Sequence, residues 1–234
     1  MLLHTDLVTL HRKWELRMSR LLAAGFAAAM LLVTPPTAAA DVPPVSPQAQ
    51  GAGLIDVRSV VPDAFVDLRY ATPNNFVGTA LYPANARCLV HESLAPGLAK
   101  AADVLRRGGE RLVFWDCYRP HDAQIRMFAE VPNPNWVARP TEFARSHESG
   151  RSVDVTLAVA HYGWRVDMGT DFDDFTSRSL AYATEGVTAQ QQADRARLRD
   201  AMSAGGLNVY SGEWWHFDGP GAGEPRAILD VPAN

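Results

Sequence analysis

The amino-acid sequence predicts an α+β fold, and two observations support this prediction. Three segments repeat apolar residues at the three-to-four-residue spacing of amphipathic helices, and several shorter segments alternate apolar and polar residues as half-buried strands do. These segments do not follow the regular strand–helix–strand order of a parallel α/β sheet. The chain has 234 residues, 47% of them hydrophobic and 21% charged, so it can bury a substantial core, and we expect one domain.

The first 40 residues are predicted to be a signal peptide for export rather than part of the fold. Basic residues precede an apolar run over residues 21–33, and small residues follow it up to Ala40. This order is typical of a secretory signal and its cleavage site. The apolar run has 13 residues, whereas a membrane span needs roughly 20; an uncleaved membrane anchor is the alternative. We therefore expect a periplasmic or extracellular protein without stable membrane association.

The next part of the chain is predicted to contain a lead-in, short strands and a loop. Residues 41–53 are rich in Pro, Ala, Gly and Gln, which indicates a flexible lead-in. The folded domain is assigned to residues 54–234. Short apolar alternations within residues 54–70 suit strands, and the Asn-Asn pair and the glycine within residues 74–78 mark a loop.

Two helices are predicted on either side of a short strand. The first covers residues 93–109, where Ser93 is a candidate N-cap and a Gly-Gly pair ends the apolar repeat. An apolar strand follows over residues 111–115. The second helix covers residues 120–131, and three prolines between residues 132 and 140 predict a loop after it.

The C-terminal half is predicted to contain a long strand, a helix and two closing strands. Residues 152–159 alternate between two faces, as a strand does. A helix is predicted over residues 188–204, and Thr188 with Gln191 three positions later is typical of a capping box at its start. The closing strands are predicted over residues 207–210 and 214–218.

Charge and cysteine content exclude some classes of protein. The formal net charge is −4 without a basic stripe in the sequence, which argues against a nucleic-acid-binding protein. The two cysteines are Cys88 and Cys117, and because neither lies in a Cys-x-x-Cys motif they do not form a zinc finger. Export would place them where disulfides persist. A Cys88–Cys117 disulfide and a pair of free buried thiols both fit the sequence.

Two short stretches contain residue types that suggest catalysis. His147 precedes Asp154 by seven positions, with Gly150 between them to let the chain turn, and Glu213 precedes His216 by three. Imidazole nitrogen and carboxylate oxygen are good zinc ligands, and three protein ligands leave a fourth position open for water. A separate Glu can then move protons between that water and a leaving group. Each spacing taken alone is weak, and the combination makes the prediction.

The combination occurs within a longer series of motifs. Five stretches, in order within residues 57–218, resemble the D-alanyl-D-alanine dipeptidases of the VanX type: Tyr70 to Gly78, Trp115 to Pro120, Ser146 to Leu157, Met168 to Asp173, and Glu213 to Phe217. The resemblance places the chain in a wider group of zinc peptidases that includes D,D-carboxypeptidases and the Hedgehog signalling domain. The Met-Gly-Thr-x-Phe-Asp stretch points to the dipeptidase branch.

The resemblance implies a fold, a metal and a reaction. The fold would be a small antiparallel sheet flanked by helices, closing around one Zn²⁺ per chain, with the catalytic domain over residues 54–234. His147, Asp154 and His216 would bind the zinc, and Glu213 would act as general base and then as general acid. The reaction would be hydrolysis of free D-Ala-D-Ala, the small-molecule partner of the protein, to D-alanine.

The resemblance also assigns residues to the substrate. Arg119 would face the oxyanion that forms when water attacks the peptide carbonyl, where a fixed cation stabilises the developing charge. Asp173 would pair with the ammonium of the dipeptide, which accounts for a requirement for a free N-terminus because a blocked one leaves the carboxylate unpaired. Tyr70 and Ser146 would line the pocket.

Alternatives remain open on the sequence alone. Arg119 would form a surface ion pair with Asp116 or Asp122 if it were not catalytic, and the acidic turn around Asp173 would be solvated. Other histidines and two tryptophans suit core or surface positions: His91, His121, His161, Trp214 and Trp215. For the whole protein, the alternatives are a D,D-carboxypeptidase or wall endopeptidase of the same fold, and a non-catalytic zinc- or peptidoglycan-binding module.

Overall fold

The computed structural model describes residues 42–234, so the predicted signal peptide lies outside the described residues. Within residues 42–234, no helix is long and apolar enough to cross a membrane. The helices of this part of the chain are α1 (Pro47–Gly51), α2 (Ala95–Arg107), α3 (His121–Glu130) and α4 (Ala189–Ala204). Its strands are β1 (Leu54–Asp56), β2 (Phe65–Val66), β3 (Leu89–His91), β4 (Glu110–Asp116), β5 (Ser152–Val159), β6 (Asn208–Val209) and β7 (His216–Asp218). The α+β prediction is confirmed.

Five strands form the main sheet, in the order β2-β4-β5-β7-β6. Four of them pair antiparallel as predicted, but the edge strand β2 pairs parallel with β4. The prediction of an antiparallel sheet was therefore wrong at this edge. The long connection from β2 to β4 contains helix α2, which packs on β4. A crossover of this kind allows a strand to return in the parallel direction.

The lead-in is more ordered than predicted. Helix α1 begins after Ser46, whose hydroxyl oxygen accepts a hydrogen bond from Ala49 N at 3.1 Å. Ala49 is fully buried and packs with Leu54, Leu89 and Tyr118 in a small second core. The prediction of a flexible segment over residues 41–53 is therefore wrong for α1. Composition alone does not reveal that this short helix fits against β1 and β3, which form a separate two-stranded sheet.

The predicted helices are present, with ends within two residues of the prediction. Helix α4 has its capping box: Gln191 N donates to Thr188 Oγ1 at 3.2 Å, and Thr188 N donates to Gln191 Oε1 at 2.9 Å. Ser93 does not cap α2, because a 3-10 turn over Glu92–Leu94 precedes the helix and His91 caps that turn. Helices α2 and α4 pack against each other.

The register of three neighbouring strands places polar side chains in one row. Asp116 of β4 pairs with Asp154 of β5, and Asp154 pairs with His216 of β7. All three residues are buried. The backbone hydrogen bonds of the sheet therefore fix their relative positions.

A disulfide joins Cys88 to Cys117, whose Cα atoms are 5.2 Å apart. Of the two states that fit the sequence, the structure contains the bridge. Cys88 precedes β3 and Cys117 follows β4, and next to the bridge Tyr118 N donates to Leu89 O at 2.7 Å. The bridge therefore ties the two-stranded sheet to the end of β4 that holds Asp116.

Gly150 ends the turn that contains His147. The turn is a 3-10 segment over Ser146–Ser149, and Gly150 follows it with φ +66°, in the left-handed region that favours glycine. The backbone of Gly150 is also closely enclosed, because an added Cβ would lie 2.6 Å from Leu54 Cδ2 and 3.2 Å from His91 N. Gly150 O accepts a hydrogen bond from His91 N at 2.7 Å, so the turn is held against β1 and β3.

We expect Gly150→Ala to lower the free energy of unfolding by about 3 kcal/mol or more, because left-handed strain of about 1–2 kcal/mol adds to overpacking of about 1–3 kcal/mol. Gly109→Ala is the matched control, since Gly109 has φ +75° and nothing within 4 Å of an added Cβ. Urea unfolding followed by tryptophan fluorescence measures both variants. Equal losses of stability would contradict the close packing of Gly150.

Candidate active site

Three buried side chains converge where β5, β7 and the turn before β5 meet. His147 Nε2 lies 3.1 Å from His216 Nδ1 and 3.2 Å from Asp154 Oδ1, and the last two atoms are 3.1 Å apart. Among residues 42–234, these three residues lie close enough together to hold a metal ion. A tetrahedral zinc ion with bonds of about 2.0–2.1 Å separates its ligands by about 3.3 Å. The triangle of ligand atoms therefore has the size that zinc requires.

Hydrogen bonds on the far sides of the two imidazole rings orient them. His147 Nδ1 lies 2.8 Å from Cys117 O, and because a carbonyl oxygen only accepts, this nitrogen carries the hydrogen. His216 Nε2 lies 3.0 Å from Asp218 Oδ1, so it also donates. In neutral imidazoles, His147 Nε2 and His216 Nδ1 then present lone pairs toward Asp154. Three electron-rich atoms this close together repel one another unless a proton or a metal ion lies between them.

The charged groups around His216 also favour a positive charge at this site. Burial alone would lower the pKa of His216, but its hydrogen bonds to Asp154 and Asp218 raise that pKa to about 10. Burial alone would raise the pKa of the Asp154 carboxyl, but His147 and His216 hold it well below its ordinary value. The site therefore retains a positive charge strongly, as a proton or as a metal ion that displaces the proton.

Glu213 lies beside this cluster without joining it. Its Oε2 atom is 3.9 Å from His216 Nδ1, and its side chain is 20% exposed. Burial raises the pKa of Glu213 to about 7. A carboxyl group with this pKa, next to a metal position and still accessible, can accept a proton and release it again.

Arg119 is held in place by two side chains. Its Nε and Nη2 atoms lie 3.0 and 2.7 Å from Asp116 Oδ2, and Nη1 donates to Gln124 Oε1 at 2.7 Å. The ion pair with Asp116 that the sequence left as an alternative therefore exists, but Asp116 is fully buried. Arg119 Nη2 also lies 3.9 Å from Asp154 Oδ2, and the guanidinium covers the Tyr70 ring at 5.3 Å. The pair thus positions the cation beside the metal ligands.

Asp173 forms the acidic end of the pocket. Tyr70 Oη donates to Asp173 Oδ2 at 2.7 Å, and Asp173 adopts φ +56°. Burial raises the pKa of Asp173 well above its ordinary value, although the Tyr70 hydrogen bond opposes this. Its neighbours Asp171 and Asp174 each form an ion pair with an arginine and do not line this pocket. Asp173 is therefore the member of this acidic turn that faces the site.

All predicted catalytic, ligand and substrate-binding residues meet in one cavity of about 320 Å³. Ser146 is among them, with its hydroxyl donating to Ser152 Oγ at 2.9 Å and lying 3.4 Å from His216 Nε2. Four aromatic residues also line the cavity and contribute apolar contact surface: Phe76, Trp136, Phe175 and Tyr210. Trp214 and Trp215 are buried in the core, as expected.

Several site residues were missed by the sequence analysis. Gln124 and Asp218 line the same cavity, and the Cys117 carbonyl orients His147. Asp218 directly follows the Glu-Trp-Trp-His-Phe stretch, which is the signal that could have found it. His121, predicted to be surface or core, contacts Glu148 at the cavity wall, with Nδ1 2.5 Å from Oε1.

Comparisons with known proteins identify the family of the chain. The Peptidase M15 family, described as D-ala-D-ala dipeptidase, matches residues 50–234. A D-alanyl-D-alanine dipeptidase of Escherichia coli (strain K12) is 36% identical over 177 residues, covering 76% of this chain and 90% of the relative. One from Enterococcus faecium is 31% identical over 193 residues, covering 72% of this chain and 92% of the relative.

A solved structure gives a much weaker likeness. The LdcB LD-carboxypeptidase aligns with a TM-score of 0.36 and 19% identity, over 58% of this chain and 61% of that one, which is too little to bear on the fold. The family match spans most of the chain, and two relatives exceed 30% identity over more than two thirds of it. The chain is therefore an enzyme that belongs to the Peptidase M15 family of D-Ala-D-Ala dipeptidases, a family of metallopeptidases.

Proposed function

We propose that this protein hydrolyses free D-Ala-D-Ala to D-alanine with one zinc ion held by His147, Asp154 and His216. The observation that carries the proposal is the convergence of the three ligand atoms, with all separations between 3.1 and 3.2 Å. Glu213 lies directly beside them, in a cavity whose other end is acidic. The names of the relatives support the same substrate.

The donor set suits zinc. Two imidazole nitrogens and one carboxylate oxygen are ligands that zinc accepts in catalytic sites, where a fourth position stays open. When bound, zinc supplies Lewis-acid chemistry, because it acidifies a water molecule and polarises the peptide carbonyl. Other divalent ions accept similar ligands, and the two imidazole nitrogens favour zinc over Mg²⁺ and Ca²⁺, which prefer oxygen ligands.

Glu213 moves the proton in this proposal. Its carboxylate accepts a proton from the attacking water and then donates it to the nitrogen of the leaving D-alanine. The pKa of about 7 that burial gives Glu213 suits both steps near neutral pH, because neither protonation state is strongly disfavoured.

Arg119 stabilises the negative charge that develops on the carbonyl oxygen. Its bonds to Asp116 and Gln124 fix the guanidinium, and Nη2 lies on the side of Asp154. A donor fixed before the reaction needs no reorganisation when charge appears, which is why such groups contribute strongly to catalysis.

Asp173 selects the free N-terminus of the substrate. Its buried carboxylate accepts a hydrogen bond from Tyr70 and has a raised pKa, so binding of an ammonium would supply the missing opposite charge. A blocked N-terminus lacks that charge and leaves Asp173 buried and unpaired, which is unfavourable. This contact therefore disfavours peptides that are extended or blocked at the N-terminus.

Replacing the proton carrier tests the reaction. Glu213→Gln should lower kcat for D-Ala-D-Ala about 10²- to 10⁴-fold, because an amide cannot accept the proton of water. Zinc content should stay at one ion per chain, since Glu213 is not a ligand. Release of D-alanine and metal analysis measure the two effects, with Glu224→Gln, an exposed carboxylate, as control. Turnover close to that of the control would rule out this role for Glu213.

Replacing the acidic end of the pocket tests the substrate assignment. Asp173→Asn should lower kcat/KM for D-Ala-D-Ala about 10- to 100-fold, because a hydrogen bond to a charged group is lost. It should also reduce the preference for the free dipeptide over its N-acetyl form. The control is Asp174→Asn in the same turn, where the carboxylate pairs with Arg178. An unchanged preference in Asp173→Asn would contradict this role of Asp173, whereas turnover of the N-acetyl form by the wild type would favour a carboxypeptidase or endopeptidase.

We also propose that the protein is exported and recycles dipeptide released from the cell wall rather than destroying precursor inside the cell. The leader-like sequence of residues 1–40 and the Cys88–Cys117 disulfide support export, because disulfides persist in oxidising compartments. Fractionation of cells expressing the full chain should find a processed protein beginning at Asp41 outside the cytoplasm. A full-length cytoplasmic protein would contradict export and the recycling role.

A further inference from the structure

We propose that Asp218 is a positioning residue, which fixes the ring of His216 so that Nδ1 binds the metal; this rests on the metal site of the proposed function. Asp218 follows His216 by two positions in β7, so both side chains lie on the same face of the strand. Asp218 Oδ1 lies 3.0 Å from His216 Nε2. The carboxylate therefore contacts the side of the ring opposite to the metal position and is not itself a ligand.

The sheet holds Asp218 in this position. Ser152 of β5 pairs with Asp218 of β7, two positions from the pair formed by Asp154 and His216. Ser152 is fully buried, and its hydroxyl donates to Asp218 Oδ1 at 2.5 Å. The same register that brings two ligands together thus brings together the two residues that support one of them.

Ser146 extends this support to the turn that contains His147. Its hydroxyl donates to Ser152 Oγ at 2.9 Å and lies 3.4 Å from His216 Nε2. The polar chain Ser146–Ser152–Asp218 therefore runs along the outer edge of His216. His147 Nδ1 donates instead to the carbonyl oxygen of Cys117 at 2.8 Å, with the buried Asp116 carboxylate 3.6 Å away. Only His216 therefore has a carboxylate as its direct hydrogen-bond acceptor on the outer side of the ring.

This arrangement has a defined effect on metal binding. A carboxylate that accepts the Nε2 hydrogen keeps the lone pair on Nδ1 and prevents rotation of the ring. It also makes Nδ1 a stronger electron-pair donor to the metal. Loss of such a partner lowers metal affinity about 10- to 100-fold in metalloproteins. Asp218→Ala should have an effect of this size, while Asp218→Asn should lose about 3- to 10-fold, because its amide oxygen still accepts the hydrogen bond without the charge.

The experiment measures the zinc dissociation constant of the full chain by competition with a chromogenic chelator. The variants are Asp218→Ala, Asp218→Asn and His216→Ala, and Asp122→Asn is the control, because Asp122 lies exposed on α3. Circular dichroism of the metal-free proteins checks folding, and Asp218→Asn, which is nearly isosteric, decides the result if Asp218→Ala does not fold. The visible spectrum of bound Co²⁺ reports the ligand geometry directly.

We expect the loss of zinc affinity to be largest in His216→Ala, smaller in Asp218→Ala and smallest in Asp218→Asn, with the control unchanged. We also expect an altered Co²⁺ spectrum in Asp218→Asn. If both Asp218 variants have the zinc affinity and the Co²⁺ spectrum of the wild type while His216→Ala loses zinc binding, the role of Asp218 is overturned and the metal site stands. Wild-type affinity in His216→Ala as well would instead overturn the metal site.

Discussion

The pairing of Asp154 with His216 across β5 and β7 is the constraint on which the site depends. This pairing places the Asp154 carboxylate and the His216 imidazole side by side in the centre of the sheet. The turn before β5 brings His147 next to them. The hydrogen-bond acceptors of both imidazole rings lie on the sides that face away from Asp154. His147 Nε2, His216 Nδ1 and the Asp154 carboxylate therefore face one shared space, which suits a cation. The sheet thus supplies the rigidity on which catalytic geometry depends.

The acidic end of the pocket, formed by Asp173, depends on a different element. Arg195 of α4 donates to the carbonyl oxygens of Met168 and Arg178, at 2.7 and 2.8 Å, and its guanidinium covers the Trp214 ring at 5.4 Å. Burial lowers the pKa of Arg195 to about 10. The Arg195 side chain is held chiefly by its hydrogen bonds to backbone carbonyls. These bonds fix both ends of the loop that contains Asp173, so the acidic end of the pocket is part of the packed fold.

The sequence predicted the helices, the long strand β5 and the residues that meet in the cavity, because periodicity and the combined motifs are local signals. It missed features that depend on tertiary contacts. The parallel direction of β2 requires knowledge of the crossover, and the burial of Ala49 requires the small sheet beneath it. No side-chain pattern indicates the carbonyl of Cys117. The position of Asp218 next to a motif could have drawn attention to it, but its hydrogen bonds to His216 and Ser152 appear only with the strand register.

In the proposed reaction, a metal ion held by His147, Asp154 and His216 is essential for hydrolysis of a free D,D-dipeptide. The most direct test is release of D-alanine from D-Ala-D-Ala by the purified mature protein, before and after complete metal removal and after zinc is returned. We expect that removal of the metal abolishes release of D-alanine and that one equivalent of zinc per chain restores it. Turnover that survives complete metal removal, or folded zinc-loaded protein that leaves the dipeptide intact, would contradict the proposed reaction.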